Sequence, residues 1–225
     1  MSLIDFKIAI PILNEEVSLA FYLPKLSPFI KDSIIFVDNG SNDKSLSVLQ
    51  EFSCCFISEE ARGYGAACFR ALDYAFKNKV KYLIYCDVED LSQIEHVYNE
   101  FKRSHYDYYD FIFTERSSYK GAFHAFLGTR GIVFLSKMLV SRKLPNDIGP
   151  IRMVNVESLH NLNMEDRRFG WTLEMQIKAF QKGFLYTVIE MSHGERTFGK
   201  SKISGTLKGT ILAAYHLAKV LCKNF

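Results

Sequence analysis

Five apolar runs of strand length, FKIAIPI (6–12), SIIFVDN (33–39), CCFIS (54–58), KYLIYC (81–86) and DFIFTE (110–115), punctuate the first half of the chain. The segments between them have helical period. From Gly65 to Lys77, for example, Ala67, Ala71, Leu72, Ala75 and Phe76 recur at three- and four-residue spacing and make one apolar face. Strand and helix in repeated alternation predict an α/β fold with a mostly parallel, Rossmann-like central sheet and helices on both faces. Sheets of this kind bind ligands beyond the carboxyl ends of their strands. A length of 225 residues suits one domain, 1–225, and no linker or internal repeat divides it.

Four polar clusters follow the predicted strands: Asn14-Glu15-Glu16, Asp38-Asn39-Gly40-Ser41, Asp87 to Asp90, and Glu115-Arg116. A parallel sheet brings them to one rim. The third is the most charged, with Asp87, Glu89 and Asp90 inside four positions. One reading is a solvated turn in which Asp90 or Ser92 caps a helix starting near Gln93. The other is a divalent-cation site, because Mg²⁺ and Mn²⁺ take oxygen ligands from one or two carboxylates plus substrate phosphates. The motif alone leaves both open. Gly63-Tyr64-Gly65, ahead of a helix, admits a close phosphate or a tight turn, while GxGxxG and GxxxxGK[ST] are both missing.

The second half is less regular. Residues 119–143 mix aromatic and aliphatic side chains with Arg130, Lys137, Arg142 and Lys143. DIGPIRMVN follows, then a helical WTLEMQIKAFQKG stopped by Gly183, a strand FLYTVIEM, a basic loop ERTFGKSKISGT and a helix to about Cys222. Arg196, Lys200 and Lys202 in that loop read as a phosphate clamp or as a solvated loop, and Arg116, Arg130 and Arg152 are further anion candidates.

A net charge of +3 implies no nucleic-acid partner. The five cysteines are odd in number and lack metal spacing, so they read as buried thiols of a reducing compartment. With no secretory leader and no stretch near the ~18 apolar residues of a membrane span, the expectation is a cytoplasmic protein.

The ordered segments IPILNEE (10–16), VDNGSND (37–43), the Gly63-Tyr64-Gly65 turn, the acidic cluster at 87–90, DIGPIR (147–152), FGWTLEMQIKA (169–179) and RTFGKSKISGT (196–206) resemble family 2 of the inverting glycosyltransferases. The likeness covers nearly the whole chain and is similar to the branch with dolichyl-phosphate mannose synthase and polyprenyl-phosphate glucosyltransferases. It implies a GT-A fold with a nucleotide-sugar-binding half (1–118) and an acceptor-side half (119–225). It also implies a nucleotide-diphosphate-sugar donor contacted by Pro11, Leu13, Asn14, Glu15, Asp38, Gly40, Arg62, Gly63, Gly65 and Arg130. Asp87 would hold Mg²⁺ or Mn²⁺. The family usually shows Asp-x-Asp before Leu, whereas this chain reads Asp87-Val88-Glu89-Asp90-Leu91, so either Glu89 or Asp90 is the second ligand.

A polyprenyl phosphate is the acceptor implied, with Arg116, Arg130, Arg152, Arg196 and Lys202 gathering phosphates and Glu174 orienting the acceptor side, bracing an arginine or forming a buried salt bridge. Such an acceptor requires peripheral contact at the cytoplasmic face of a membrane, or a membrane-protein partner. The last helix, with Leu207, Ile211, Ala214, Tyr215, Ala218 and Leu221 on one side, either docks at an interface or packs on the core. Two alternatives remain. One sends the sugar to a saccharide or protein hydroxyl, which needs a general base, and the other is a non-catalytic nucleotide-binding homologue.

Overall fold

The computed structural model describes residues 6–116, 123–149, 151–191, 198 and 207–224. In chain order its elements are β1 (Phe6–Ile12), α1 (Glu16–Tyr22), α2 (Pro28–Ser33), β2 (Ile34–Asp38), α3 (Ser45–Glu51), β3 (Phe56–Ser58), α4 (Tyr64–Lys77), β4 (Tyr82–Tyr85), α5 (Ile94–Arg103), β5 (Phe111–Arg116), α6 (Phe123–Leu139), β6 (Arg152–Asn155), α7 (Val156–Asn161), α8 (Trp171–Gln181), β7 (Tyr186–Met191) and α9 (Leu207–Asn224). Short 3₁₀ turns lie at Leu23–Lys25, Val88–Gln93 and Tyr106–Tyr108.

The strands form a seven-stranded sheet in the order β3-β2-β1-β4-β6-β5-β7. Every strand runs the same way except β6, which is antiparallel to both β4 and β5. The alternation read from the sequence therefore gives the α/β sheet it predicts. The run DIGPIRMVN also contains a strand that the pattern did not announce, since four residues headed by an arginine carry little periodic signal.

Side chains alternate across the sheet and split the core into two layers. Ile8, Ile10 and Ile12 of β1 join Phe36, Ile84 and Met153 under α1, α2, α3 and α5. Ala9, Val37, Leu83 and Tyr85 face α4, α7 and α8 on the other side. The face of α4 there is built from Ala67, Cys68, Ala71 and Ala75, small enough for the helix to lie close to the strands. A third cluster joins α6, α8 and α9 through Ile132, Leu173, Ile177, Val220 and Leu221.

Pro11 sits in β1 beyond the point where pairing with β4 stops, at Ala9 opposite Tyr85, so its missing N–H costs no bond to that strand. Among the described residues no helix is long and apolar enough to cross a membrane.

Phe36 of β2 is fully enclosed in the first layer. Phe36→Ala is expected to cost about 3–5 kcal/mol, read as a lower urea midpoint at an unchanged denaturant slope.

Candidate active site

The carboxyl ends of β1, β2, β4 and β5 share one edge of the sheet, and the four polar clusters meet there as the alternation required. The loops after β1 and β2 are laced together. Asn14, held at φ +52°, donates its N–H to Ser41 Oγ at 2.9 Å and accepts the Asn42 N–H on its side-chain oxygen at 2.8 Å. The Glu15 N–H donates to Ser45 Oγ at 2.8 Å, and the Glu16 N–H donates to Asp43 at 3.1 Å. Pro11 and Leu13 lead into this seam, half-buried. Asp38 is buried at the end of β2, and its carboxylate accepts the N–H groups of Gly40 and Ser41. Gly40 has φ +82°, and the exposed Arg62 lies over it while donating to the Asn39 carbonyl at 3.1 Å.

At the tip of β4 the acidic residues form a reciprocal cap. Asp87 donates its N–H to the Asp90 carboxylate at 2.9 Å, and the Asp87 side chain accepts the Asp90 N–H. The helical turn thus begins at Val88, earlier than the sequence suggested, and Asp90 caps it by reaching backwards. Glu89 and Asp90 are both buried. Clustered hard oxygen donors suit a divalent cation shared with substrate phosphates. Among the described residues no group of three or more His, Cys, Asp or Glu side chains is disposed to enclose a cation alone.

The fourth cluster is tied to the loop before β6. Arg116 is bidentate with Asp147, at 2.7 and 2.6 Å, and Glu115 accepts the Asn146 N–H at 2.6 Å. A Cβ on Gly149 would lie 2.3 Å from the Thr114 carbonyl, so only glycine lets this loop lie against β5. Arg116 therefore stands on the rim, but its charge is matched by a carboxylate and it holds residues 146–148 in place. Sequence reading missed Asp147 as its partner, because nothing local marks a pair 31 positions apart.

Three assignments from the sequence change. Arg152 was expected to gather phosphate, yet it is fully buried at the start of β6. Its guanidinium lies 4.8 Å from the Tyr85 ring and donates to the Tyr64 hydroxyl at 3.3 Å. It is a core cation beneath the rim, where the thiols of Cys68 and Cys86 feel both it and Asp87.

Gly63 and Gly65 were expected near a phosphate. Instead the segment 166–168 lies on them. The N–H groups of Gly65 and Ala66 donate to the carbonyls of Arg168 and Arg167, and a Cβ on Gly63 would meet the Arg167 carbonyl at 2.1 Å. The start of α4 is thus occupied by backbone carbonyls.

Glu174 was expected among the catalytic residues. It is buried, accepts the N–H groups of Glu165 and Asp166 at 2.9 and 2.7 Å, and pairs with Lys178 at 2.6 Å. Its contacts in the structure are this salt bridge and the backbone of the segment that covers the glycines. Arg130 is exposed on α6, and Arg196 and Lys202 lie outside the described residues.

The sequence profile of Glycosyl transferase family 2 matches residues 7–162. The chain belongs to that family. It is 30% identical over 216 residues to an uncharacterized glycosyltransferase of Mycobacterium tuberculosis H37Rv, covering 95% of this chain and 96% of the relative, and equally to one of Mycobacterium bovis. Among solved structures, glucosyl-3-phosphoglycerate synthase of M. tuberculosis bound to uridine diphosphate superposes with a TM-score of 0.75 at 14% identity, covering 97% of this glycosyltransferase and 79% of that chain. Its complex with Mn²⁺, UDP-glucose and phosphoglyceric acid gives 0.70 at 16% identity, with the same coverage. At such identities the likeness is one of fold.

Burial pushes the Cys68 thiol of the glycosyltransferase up to about 12, against an ordinary 9.0, with Arg152 only partly opposing it. The unfolded thiol ionises from about pH 9 while the folded one stays protonated to about 12. This contribution is therefore whole below pH 9 and falls as pH rises, by about 1.4 kcal/mol per unit. Denaturant titrations between pH 8 and 10.5 are expected to record the decline, with a shallower slope in Cys68→Ala. Glu174→Ala is expected to destabilise by about 3–5 kcal/mol, with faster proteolysis of the 163–170 segment as the second readout.

Proposed function

We propose that this protein transfers a sugar, with inversion, from a nucleotide-diphosphate-sugar to an acceptor bearing a phosphate, with Mg²⁺ or Mn²⁺ assisting. The observation that carries the reading is the capped acidic turn on the same rim as the laced loops after β1 and β2, in a chain of family 2. Pro11, Leu13, Asn14, Glu15, Asp38, Gly40 and Arg62 line the donor side. Asp87, with Glu89 or Asp90, holds the cation, which when bound supplies positive charge to offset the diphosphate leaving group. Support for donor and metal comes from glucosyl-3-phosphoglycerate synthase, which has been solved with Mn²⁺ and UDP-glucose.

A phosphate monoester is largely ionised near neutral pH, its second pKa being about 6, so as a nucleophile it needs little help from a base. That fits a site in which Glu174 is spent on the 165–166 backbone. Arg130, Arg196 and Lys202 gather the phosphates and align the acceptor oxygen with the anomeric carbon. The acceptor-side half is 119–225. We take polyprenyl phosphate as the acceptor, on the motifs DIGPIR, FGWTLEMQIKA and RTFGKSKISGT. A small phosphorylated acid is the second reading, supported by the phosphoglyceric acid bound in the solved synthase.

Calorimetry with UDP and GDP, with and without Mn²⁺, tests the donor side. One nucleotide is expected to bind in a metal-dependent way and to lose at least tenfold in Asp87→Asn, a change that keeps an acceptor for the Asp90 N–H. Unchanged binding in that variant would sink the cation site. Comparing Glu89→Gln with Asp90→Asn identifies the second ligand. Labelled sugar partitioning into butanol with polyprenyl phosphate, or staying aqueous with phosphoglycerate, decides the acceptor.

A further inference from the structure

The charge of the chain is segregated. Residues 117–146 and 196–225 contain 11 of the 28 basic residues and none of the 25 acidic ones. The rest of the chain carries 17 basic against 25 acidic residues, so a protein of net charge +3 is built from a cationic part and an anionic part. The two cationic segments supply α6 and α9, which pack on each other through the cluster of Ile132, Val220 and Leu221.

Both helices leave large apolar side chains in solvent. On α6, Phe134 and Met138, one turn apart, are 66% and 62% exposed, and Leu135 stands beside them. On α9, Ile211 and Tyr215, also one turn apart, are each 61% exposed, with Leu212, Ala214 and Ala218 exposed beside them. The expectation that the last helix would turn Leu221 to the same side as these residues fails, because Leu221 is buried against α8. Arg142 and Lys143 follow Met138 at the end of α6, and Lys219 follows Tyr215 on α9, all three exposed.

Large exposed apolar side chains stacked one turn apart on two helices that pack together mark an interaction surface, and their rim decides the partner. An apolar stripe bordered by cations, in segments without an acidic side chain and with the neighbouring Glu165 already paired to Lys223, complements a surface that is apolar within and anionic outside. A protein partner would have to offer a hydrophobic patch ringed by acids, whereas an anionic bilayer offers both everywhere.

We infer that the exposed faces of α6 and α9 form a docking surface for an anionic phospholipid bilayer, with Phe134, Met138, Ile211 and Tyr215 entering the headgroup boundary and Arg142, Lys143 and Lys219 pairing with lipid phosphates. The attachment inferred is a peripheral one, and among the described residues no helix is long and apolar enough to cross a bilayer. The surface does not depend on which acceptor the active site uses, and neutral or anionic phospholipid alone suffices to probe it.

Flotation of the full chain with vesicles of phosphatidylcholine, and of phosphatidylcholine with about a third phosphatidylglycerol, is the test. Binding is expected to the anionic vesicles and to weaken with salt. Replacing Arg142, Lys143 and Lys219 together by Gln is expected to weaken it on the order of a hundredfold, and the pair Phe134→Ser with Met138→Ser by at least about tenfold. Unchanged nucleotide binding in these variants shows that the fold is intact and separates a failure here from a failure of the catalytic reading. No binding to anionic vesicles overturns the inference. So does a wild-type dimer in sedimentation that the Phe134 and Met138 changes dissociate, since the apolar face would then belong to a second copy of the chain.

Discussion

The two oxygens of Glu174 hold the N–H groups of Glu165 and Asp166, and much of the rim rests on that contact. A buried carboxylate is costly unless its acceptor sites are filled, and here two backbone donors and Lys178 fill them. Fixing residues 165 and 166 fixes the carbonyls of Arg167 and Arg168, which close the first turn of α4. Helix α4 in turn carries Tyr64 and Cys68 to Arg152. A chain of single contacts thus leads from the late helix α8 to the cation beneath the rim, joining parts of the sequence more than a hundred residues apart.

Charge at the rim is arranged in layers. The acidic turn lies at the tip of β4 with Asp87 half-buried and Glu89 and Asp90 buried, and Asp87 and Asp90 cap one another. Beneath it Arg152 is enclosed by Tyr64, Tyr85 and Cys68, groups whose burial keeps them protonated. A guanidinium loses its proton in no accessible range, so this site keeps a permanent positive charge below a cluster of negative ones. Such an arrangement offsets the mutual repulsion of three neighbouring carboxylates.

The parts of the fold legible in the sequence were those written in continuous apolar runs. FKIAIPI is β1 residue for residue, and the small-residue face of α4 was visible from its spacing. The convergence of four polar clusters followed from parallel strands alone. Strand β6 was hidden, because four residues led by an arginine look like loop. The reason for Gly63 and Gly65 was hidden as well. A glycine pair before a helix says that something comes close, but whether that is a phosphate or residues 166–168 of the same chain depends on tertiary packing. Arg116 and Glu174 were picked out as charged residues in motifs, and the structure gave them carboxylate and backbone partners that no local spacing encodes.

Strands β5 and β6 are antiparallel neighbours, a relation that two residues of hairpin can satisfy. In this chain residues 117–151 connect them, and α6 lies within that excursion. Doubling a loop costs only about 0.6 kcal/mol of closure entropy, so the length of the excursion adds little to the cost of pairing, and its last stretch, residues 146–149, is what ties it to β5 through Glu115, Arg116 and Thr114. The part of the excursion that carries α6 makes its contacts with α8 and α9, away from the strand pairing itself.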